Sequence, residues 1–136
     1  MTFDPPLKKG QSIDNQYLCL TFKCGRQGGM RRSIATNTLV VINDQTKGVY
    51  RDLWKDGVLH YTGMGLKGDQ MIDFKQNKTL RDSLHNGVKV YLFEILLSGL
   101  YTYRGEVKLV AEPYQARQSD KNGLSRSVWI FPLKPI

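Results

Sequence analysis

The rhythm of apolar and polar residues changes several times along the 136-residue chain. The run Asn37 to Ile42 (Asn-Thr-Leu-Val-Val-Ile) is apolar without alternation, which predicts a buried strand stopping at Asn43, Asp44 and Gln45. Val58 to Thr62, entered through the turn pair Asp56-Gly57, predicts a second strand. Val88 to Leu97, Tyr101 to Glu112 and Ser127 to Leu133 are further strand segments rich in β-branched and aromatic residues. Asn77 to His85 reads as a helix capped by Asn77, with Leu80 and Leu84 on one face and Asn86-Gly87 at its end. Asp14 to Lys23 fits a short helix capped by Asp14 or a strand alternating from Tyr17 to Phe22, and the pattern leaves both open. Gly25 to Ser33 reads as a Gly- and Arg-rich loop, and residues 1–12 as an extended lead-in. The expectation is one domain over residues 1–136, mainly β (α+β), with one or two peripheral helices.

Composition narrows the class. Apolar residues make up 40% and charged residues 24%, the balance of a folded globular chain and not of a disordered one. Cys19 and Cys24, the only cysteines, have no second Cys or His pair to complete a zinc site and read as free thiols. The most apolar stretch, Val88 to Leu100, is broken by Lys89, Glu94, Ser98 and Gly99, so no membrane span is expected. Without a signal-like N-terminus, the expectation is a soluble cytoplasmic protein.

The net charge of +8 points to an anionic partner, and its distribution says more. Residues 1–34 carry +4, residues 35–76 balance to zero, and residues 77–136 carry +4. Basic flanks suit phosphates, whereas a centre bearing acids suits a ligand with hydrogen-bond donors. On charge alone, those acids are better explained as solvated partners of nearby lysines.

Three segments carry candidate chemistry. In Gly28-Gly29-Met30-Arg31-Arg32-Ser33 two glycines let backbone amides approach an anion and two arginines follow. Between Tyr50 and Gly63 two tyrosines lie eleven positions apart around Asp52 and the Asp56-Gly57 turn. Gly63-Met64-Gly65-Leu66-Lys67-Gly68-Asp69-Gln70 is glycine-rich but lacks the Lys-Ser/Thr ending of a nucleotide loop.

The ordered set Tyr50-x-Asp52, Asp56-Gly57, Tyr61-Thr62-Gly63-x-Gly65, Asp69-Gln70, Asn77-x-x-Leu80 and Gly87-x-x-Val90 resembles the SRA (SET and RING associated) domain over roughly residues 28–133. It is most similar to the bacterial SRA-like modules attached to HNH nucleases of methyl-directed restriction systems. The resemblance implies a PUA-like twisted β-barrel or crescent that reads modified cytosine, 5-methyl- or 5-hydroxymethylcytosine, by flipping it from duplex DNA. It implies a base pocket in which Tyr50 and Tyr61 sandwich the base, Asp52 accepts from the cytosine N4 amine, and Thr62 and Gly63 fix the pyrimidine edge. Gly28, Gly29, Arg31, Arg32, Ser33 and Lys67 would then face the DNA backbone. Only six residues separate Gly63 from Gln70, where better-known members carry a long loop that enters the duplex.

The chemistry of these residue types agrees with those roles. Extruding a base costs a few kcal/mol, and stacking on an aromatic returns about 1–3 kcal/mol per base. A carboxylate accepts from the cytosine amine and repels the thymine carbonyl. Catalysis finds no comparable constellation. His60 and His85 lack a nucleophile or ligand beside them, and Glu94-Ile95-Leu96 lacks the lysine that a nuclease triad with Asp69 and Lys89 would need. Tyr91, Phe93, Tyr101, Tyr103, Trp129 and Phe131 fall on strand patterns and read as core. The chain therefore reads as a binding module that needs no cofactor or metal, partnered by double-stranded DNA and by an HNH-type nuclease in cis or in trans. A PUA-like RNA-binding module and a compact nuclease are the alternatives.

Overall fold

A computed structural model describes residues 3–46, 52–120 and 122–136. Its described elements are β1 (Ser12–Ile13), α1 (Asn15–Phe22), β2 (Met30–Ser33), β3 (Thr38–Asp44), β4 (Leu53–Lys55), β5 (Val58–Thr62), α2 (Gln76–Arg81), β6 (Lys89–Leu97), β7 (Leu100–Leu109), β8 (Tyr114–Ser119) and β9 (Ser125–Pro135). The strands form one mixed sheet in the order β2-β3-β6-β7-β9-β5-β4, with β1 added to β7 and β8 to β9. Among the described strand pairs only β3 and β6 run parallel, with Leu39 opposite Val90 and Val41 opposite Leu92.

The sheet buries both faces. Leu39, Val41, Val90, Leu92, Val107 and Leu109 point to one side, where they meet Met30 of β2, Leu59 and Tyr61 of β5, and Leu80 of α2. Since β2 and β5 stand far apart in the strand order, this shared cluster means that the sheet curls into a crescent, with this face concave. No ladder among the described residues closes it. Val40, Ile42, Tyr91, Phe93, Ile95, Tyr101 and Tyr103 point to the convex side, which Leu18 and Phe22 of α1 cover. Burial on both faces explains the unbroken apolar run in β3. The six aromatics expected in the core lie there, all buried but Trp129, which packs partly buried against the concave cluster.

Local chemistry settles the ambiguous segments. Asp14 caps α1 by accepting from the Tyr17 amide at 2.8 Å, and Lys23 ends the helix with φ 55°. The Asp56-Gly57 turn has both residues at positive φ, 53° and 78°, the twist that joins β4 to β5 without splaying them.

Four expectations are corrected. Met30 to Ser33 is a strand, not loop, because Met30 and Ser33 are buried against β3. Helix α2 stops at Arg81, and Leu84 is 57% exposed, so it shares no buried face with Leu80. Asn77 does not cap α2 but lies inside it, fully buried. The third long strand ends at Leu109, and Tyr114–Ser119 forms β8, which the polar run Tyr-Gln-Ala-Arg-Gln-Ser concealed. Cys19 and Cys24 are free thiols, and burial together with Cys19 pushes the Cys24 thiol up to about 11.

Candidate base-reading site

Along β3 and β6 the concave face changes character. After Val41 and Leu92, the next inward residues are Asn43 and Glu94, both buried. A buried carboxylate must be paired, and Glu94 has three partners. Its Oε1 takes Arg104 Nε at 2.7 Å, and its Oε2 takes Asn43 Nδ2 and Trp54 Nε1 at 2.8 Å each. Through Trp54 this cluster tethers β4 across the mouth of the crescent.

Asp52 sits two residues before Trp54, half-buried, and its Oδ1 accepts the Thr62 amide at 2.6 Å. Burial pushes its carboxyl up from 3.8 to about 7, and the charge of Glu94 adds to the rise. The Thr62 amide and hydroxyl pull the other way. The carboxylate is thus desolvated, and no cation among the described residues contributes to its shift, which leaves an acceptor whose charge a donor would relieve.

Tyr61 and Thr62 follow on β5, which is pinned between β4 and β9. Tyr61 is 3% exposed, and its hydroxyl reaches Gly29 O at 2.8 Å and Ile42 O at 3.0 Å, crossing the open seam of the crescent. Gly63 is required by close approach, since a Cβ there would lie 2.8 Å from Asn77 Oδ1 and 2.9 Å from Phe131 Cε1. Tyr50 lies outside the described residues.

The loop after Gly63 is fastened from both sides. Asn77 accepts from Met64 N at 2.7 Å and donates to Met64 O and Met71 O. Gln70 donates to Gly63 O at 2.7 Å and accepts from Trp129 N at 2.9 Å. Asp69 Oδ1 accepts from Ser127 N at 2.8 Å. The Asp69-Gln70 and Asn77 motif residues therefore build the loop that follows the pocket strand.

The residues expected to face phosphate divide. Lys67 is exposed on this loop, and Gly28 is exposed at φ 95°. Gly29 is half-buried under the Tyr61 hydroxyl. Arg32 is half-buried and spends its guanidinium on Ser33 O, Thr38 O and Asn37 Oδ1. Arg31 and Ser33 are withdrawn from the surface, at 6% and 1% exposure. Arg31 bonds Gly28 O and Asn15 Oδ1 and lies over the Tyr101 ring. Placing Arg31 in a strand turned it toward α1, so its charge shapes the Gly28 loop instead of meeting a ligand.

Two polar residues beside the pocket carry no sequence signal. Gln118 of β8 donates to Thr62 Oγ1 at 3.2 Å, and Arg126 of β9 is 1% exposed with its Nη1 on the Gly65 and Gly68 carbonyls. A groove of about 300 Å³, lined by His60, Tyr114 and Gln118 among others, runs on this side, where His60 Nδ1 and Tyr114 OH lie 2.8 Å apart. No group of His, Cys, Asp and Glu that could hold a metal ion occurs among the described residues, and no described helix is long and apolar enough to cross a membrane.

Comparison with known proteins matches this architecture. A family model described as "ScoMcrA-like, SRA domain" matches residues 9–136. The sulfur-binding and SRA domains of ScoMcrA, complexed with phosphorothioated DNA, align with TM-score 0.77 and 19% identity over 96% of this chain and 40% of that one. The type IV phosphorothioation-dependent restriction endonuclease ScoMcrA aligns with TM-score 0.74 and 17% identity over 96% of this chain and 28% of that one. The chain thus spans well under half of these two relatives. The SUVH5 SRA domain in complex with hemimethylated CG DNA aligns with TM-score 0.71 and 20% identity over 100% of this chain and 93% of that one. No curated protein sequence matches.

Proposed function

Since the chain belongs to the ScoMcrA-like SRA domain family, we propose that it reads a modified cytosine in duplex DNA by flipping the base into the pocket at Asp52. The observation that carries this reading is the Asp52 carboxylate, desolvated and held on Oδ1 by the amide of Thr62. A cytosine edge supplies the missing donor through its N4 amine, and a thymine edge would set a carbonyl against the carboxylate. In this reading one face of the base is given to Tyr61, whose hydroxyl is already fastened to two carbonyls, and the family resemblance assigns the other to Tyr50. Thr62 and Gly63 border the pyrimidine edge. Backbone grip falls to exposed cations such as Lys67 and to the Gly28 loop, in place of Arg31 and Ser33.

In this reading the chain is the targeting module of a modification-dependent restriction system, and cleavage is the work of a nuclease such as an HNH domain. Modified DNA is what the ScoMcrA and SUVH5 structures contain: phosphorothioated in the first, methylated or hydroxymethylated in the second.

The test is a binding series on one duplex sequence carrying cytosine, 5-methylcytosine, 5-hydroxymethylcytosine, 6-methyladenine or a phosphorothioate linkage, with RNA of the same sequence as a further arm. Tighter binding to a modified cytosine, lost in Asp52→Ala and Tyr61→Ala, is the expected result. Preference for the RNA, or for the phosphorothioate regardless of the base, would replace the reading.

A further inference from the structure

We infer that a row of lysines on the convex face, centred on Lys89, Lys108 and Lys134, is a second DNA-contact surface. It grips the phosphate backbone of a stretch of duplex other than the one whose base is read. The inference goes beyond the base-reading role given to Asp52 and does not depend on it.

The register of the sheet builds the row. Val90 is opposite Val107, so Lys89 and Lys108, the next residues on β6 and β7, face each other. Lys108 is in turn opposite Lys134 of β9. Val90, Val107 and Leu133, each adjacent to one of these lysines, point into the concave cluster, and alternation sends all three lysines to the other face. Adjacent strands stand about 4.8 Å apart, so three cationic side chains leave the sheet within about 10 Å. That is close to the Debye length of about 8 Å at physiological salt, and like charges directly opposite one another destabilise a sheet. Beyond Lys134 the line continues past Val58 to Lys55 of β4, four strand spacings or about 19 Å from Lys89.

The described residues do not neutralise this row. Lys108 and Lys134 are exposed, Lys89 is half-buried, and none of the three forms an ion pair among the described residues. Glu106 lies two residues from Lys108 on the same face without pairing with any of them, and Asp82 after α2 is held by Arg81. Beside the row the surface is hollowed into a cavity of about 450 Å³, lined by Ser83, His85, Gly87, Lys89 and Lys108 among others. Charge complementarity calls for a polyanion. Lysine is depleted at protein–protein interfaces, whereas a phosphate accepts a flexible ammonium without fixed geometry. A strand of duplex carries one phosphate per 3.4 Å of axis, so a line of about 19 Å matches about five of them. Tyr61 points to the concave side, so a base stacked on it belongs to DNA on the opposite face from the row.

The test is a bridging assay on the wild-type protein and on a triple variant, Lys89→Gln, Lys108→Gln and Lys134→Gln, which leaves β4 and the base site unchanged. A 5-methylcytosine duplex is fixed to beads and loaded with protein, and capture of a free fluorescent unmodified duplex is followed from about 50 to about 200 mM salt. The variant should load like the wild type and capture about tenfold less, and the slope of log capture affinity against log salt should fall by about 2.7, at about 0.9 for each lost phosphate contact. Its Tm should hold level or rise, because opposed like charges have been removed. A fall in Tm would show that the lysines support the fold, and would overturn the inference. Absence of capture by the wild type would overturn it too, and equal capture by both proteins would assign bridging to paired copies instead. Stronger displacement of the free duplex by poly-glutamate than by competitor DNA at equal charge would give the row to an acidic protein surface. If loading is indifferent to methylation while capture still depends on the lysines, the second surface stands and the base-reading role falls.

Discussion

Asp52→Asn should stabilise the protein while removing its discrimination between bases. Burial raises the Asp52 carboxyl from 3.8 to about 7. That interval is about three pH units, and at about 1.36 kcal/mol per unit it sets an upper bound of roughly 4 kcal/mol on the cost of keeping the group ionised. The Asn amide still accepts from the Thr62 N–H, although an uncharged acceptor binds it less strongly. About half the bound, roughly 2 kcal/mol, is the expected gain at pH 8, or on the order of 6–10 °C in Tm for a domain of this size. The sign follows from linkage. Between pH 3.8 and about 7 the folded state keeps a proton that the unfolded state has released. The wild-type protein therefore loses stability as pH rises through that window, and the variant does not. Thermal melts at pH 4, 5, 6, 7 and 8 should show the gap opening across this range and levelling above it. A gap that stays constant with pH would refute the assignment of a desolvated carboxylate at Asp52.

Gly63→Ala places a Cβ within 3 Å of Asn77 and Phe131, both fully buried, and should cost about 1–3 kcal/mol in urea denaturation. Glu94→Ala leaves Arg104, Asn43 and Trp54 without their shared acceptor. Because Arg104 is partly solvated, the loss should be about 2 kcal/mol, with a change in tryptophan emission as β4 loosens. Lys67→Ala should weaken modified and unmodified duplexes alike and reduce the slope of log affinity against log salt by about 0.9, and a change in base preference would move Lys67 into the pocket.

Much of the fold was legible where one local rule decided it. Asp14 as a cap, Asp56-Gly57 as a hairpin turn and the two-sided burial of Thr38 to Ile42 each follow from residues adjacent in the chain. The errors arose where distant partners overrode a local rule. Asn77 has the chemistry of a cap, but the backbone of Met64 and Met71 offered its amide three better partners. Arg31 has the look of a phosphate ligand in a glycine-rich loop, and pairing of Met30–Ser33 with β3 turned it inward. In the candidate site, the structure brings together Asp52 and Thr62, which the family resemblance had named, because they lie on either side of a single hairpin, with Gly63 next along the chain. Gln118 and Arg126 were not legible, because their place depends on a ladder formed more than 50 residues downstream. Glu94 was visible as an acid, but its partners on three other strands were not.

The ladder partner of β5 is β9, with Tyr61 opposite Phe131 and Thr62 opposite Ile130. Vectorial synthesis therefore delivers the pocket residues long before the strand that holds them. A nascent chain halted after β7 would already contain Asp52, Tyr61, Thr62 and Gly63, yet β5 would have only the three-residue β4 to pair with. The ladder that holds Tyr61 and Thr62 is thus completed late in synthesis, once Ser125–Pro135 has emerged and paired between β7 and β5. A truncation that removed Ile130–Leu133 would unpair β5 on that side while leaving Asp52, Tyr61, Thr62 and Gly63 in the chain.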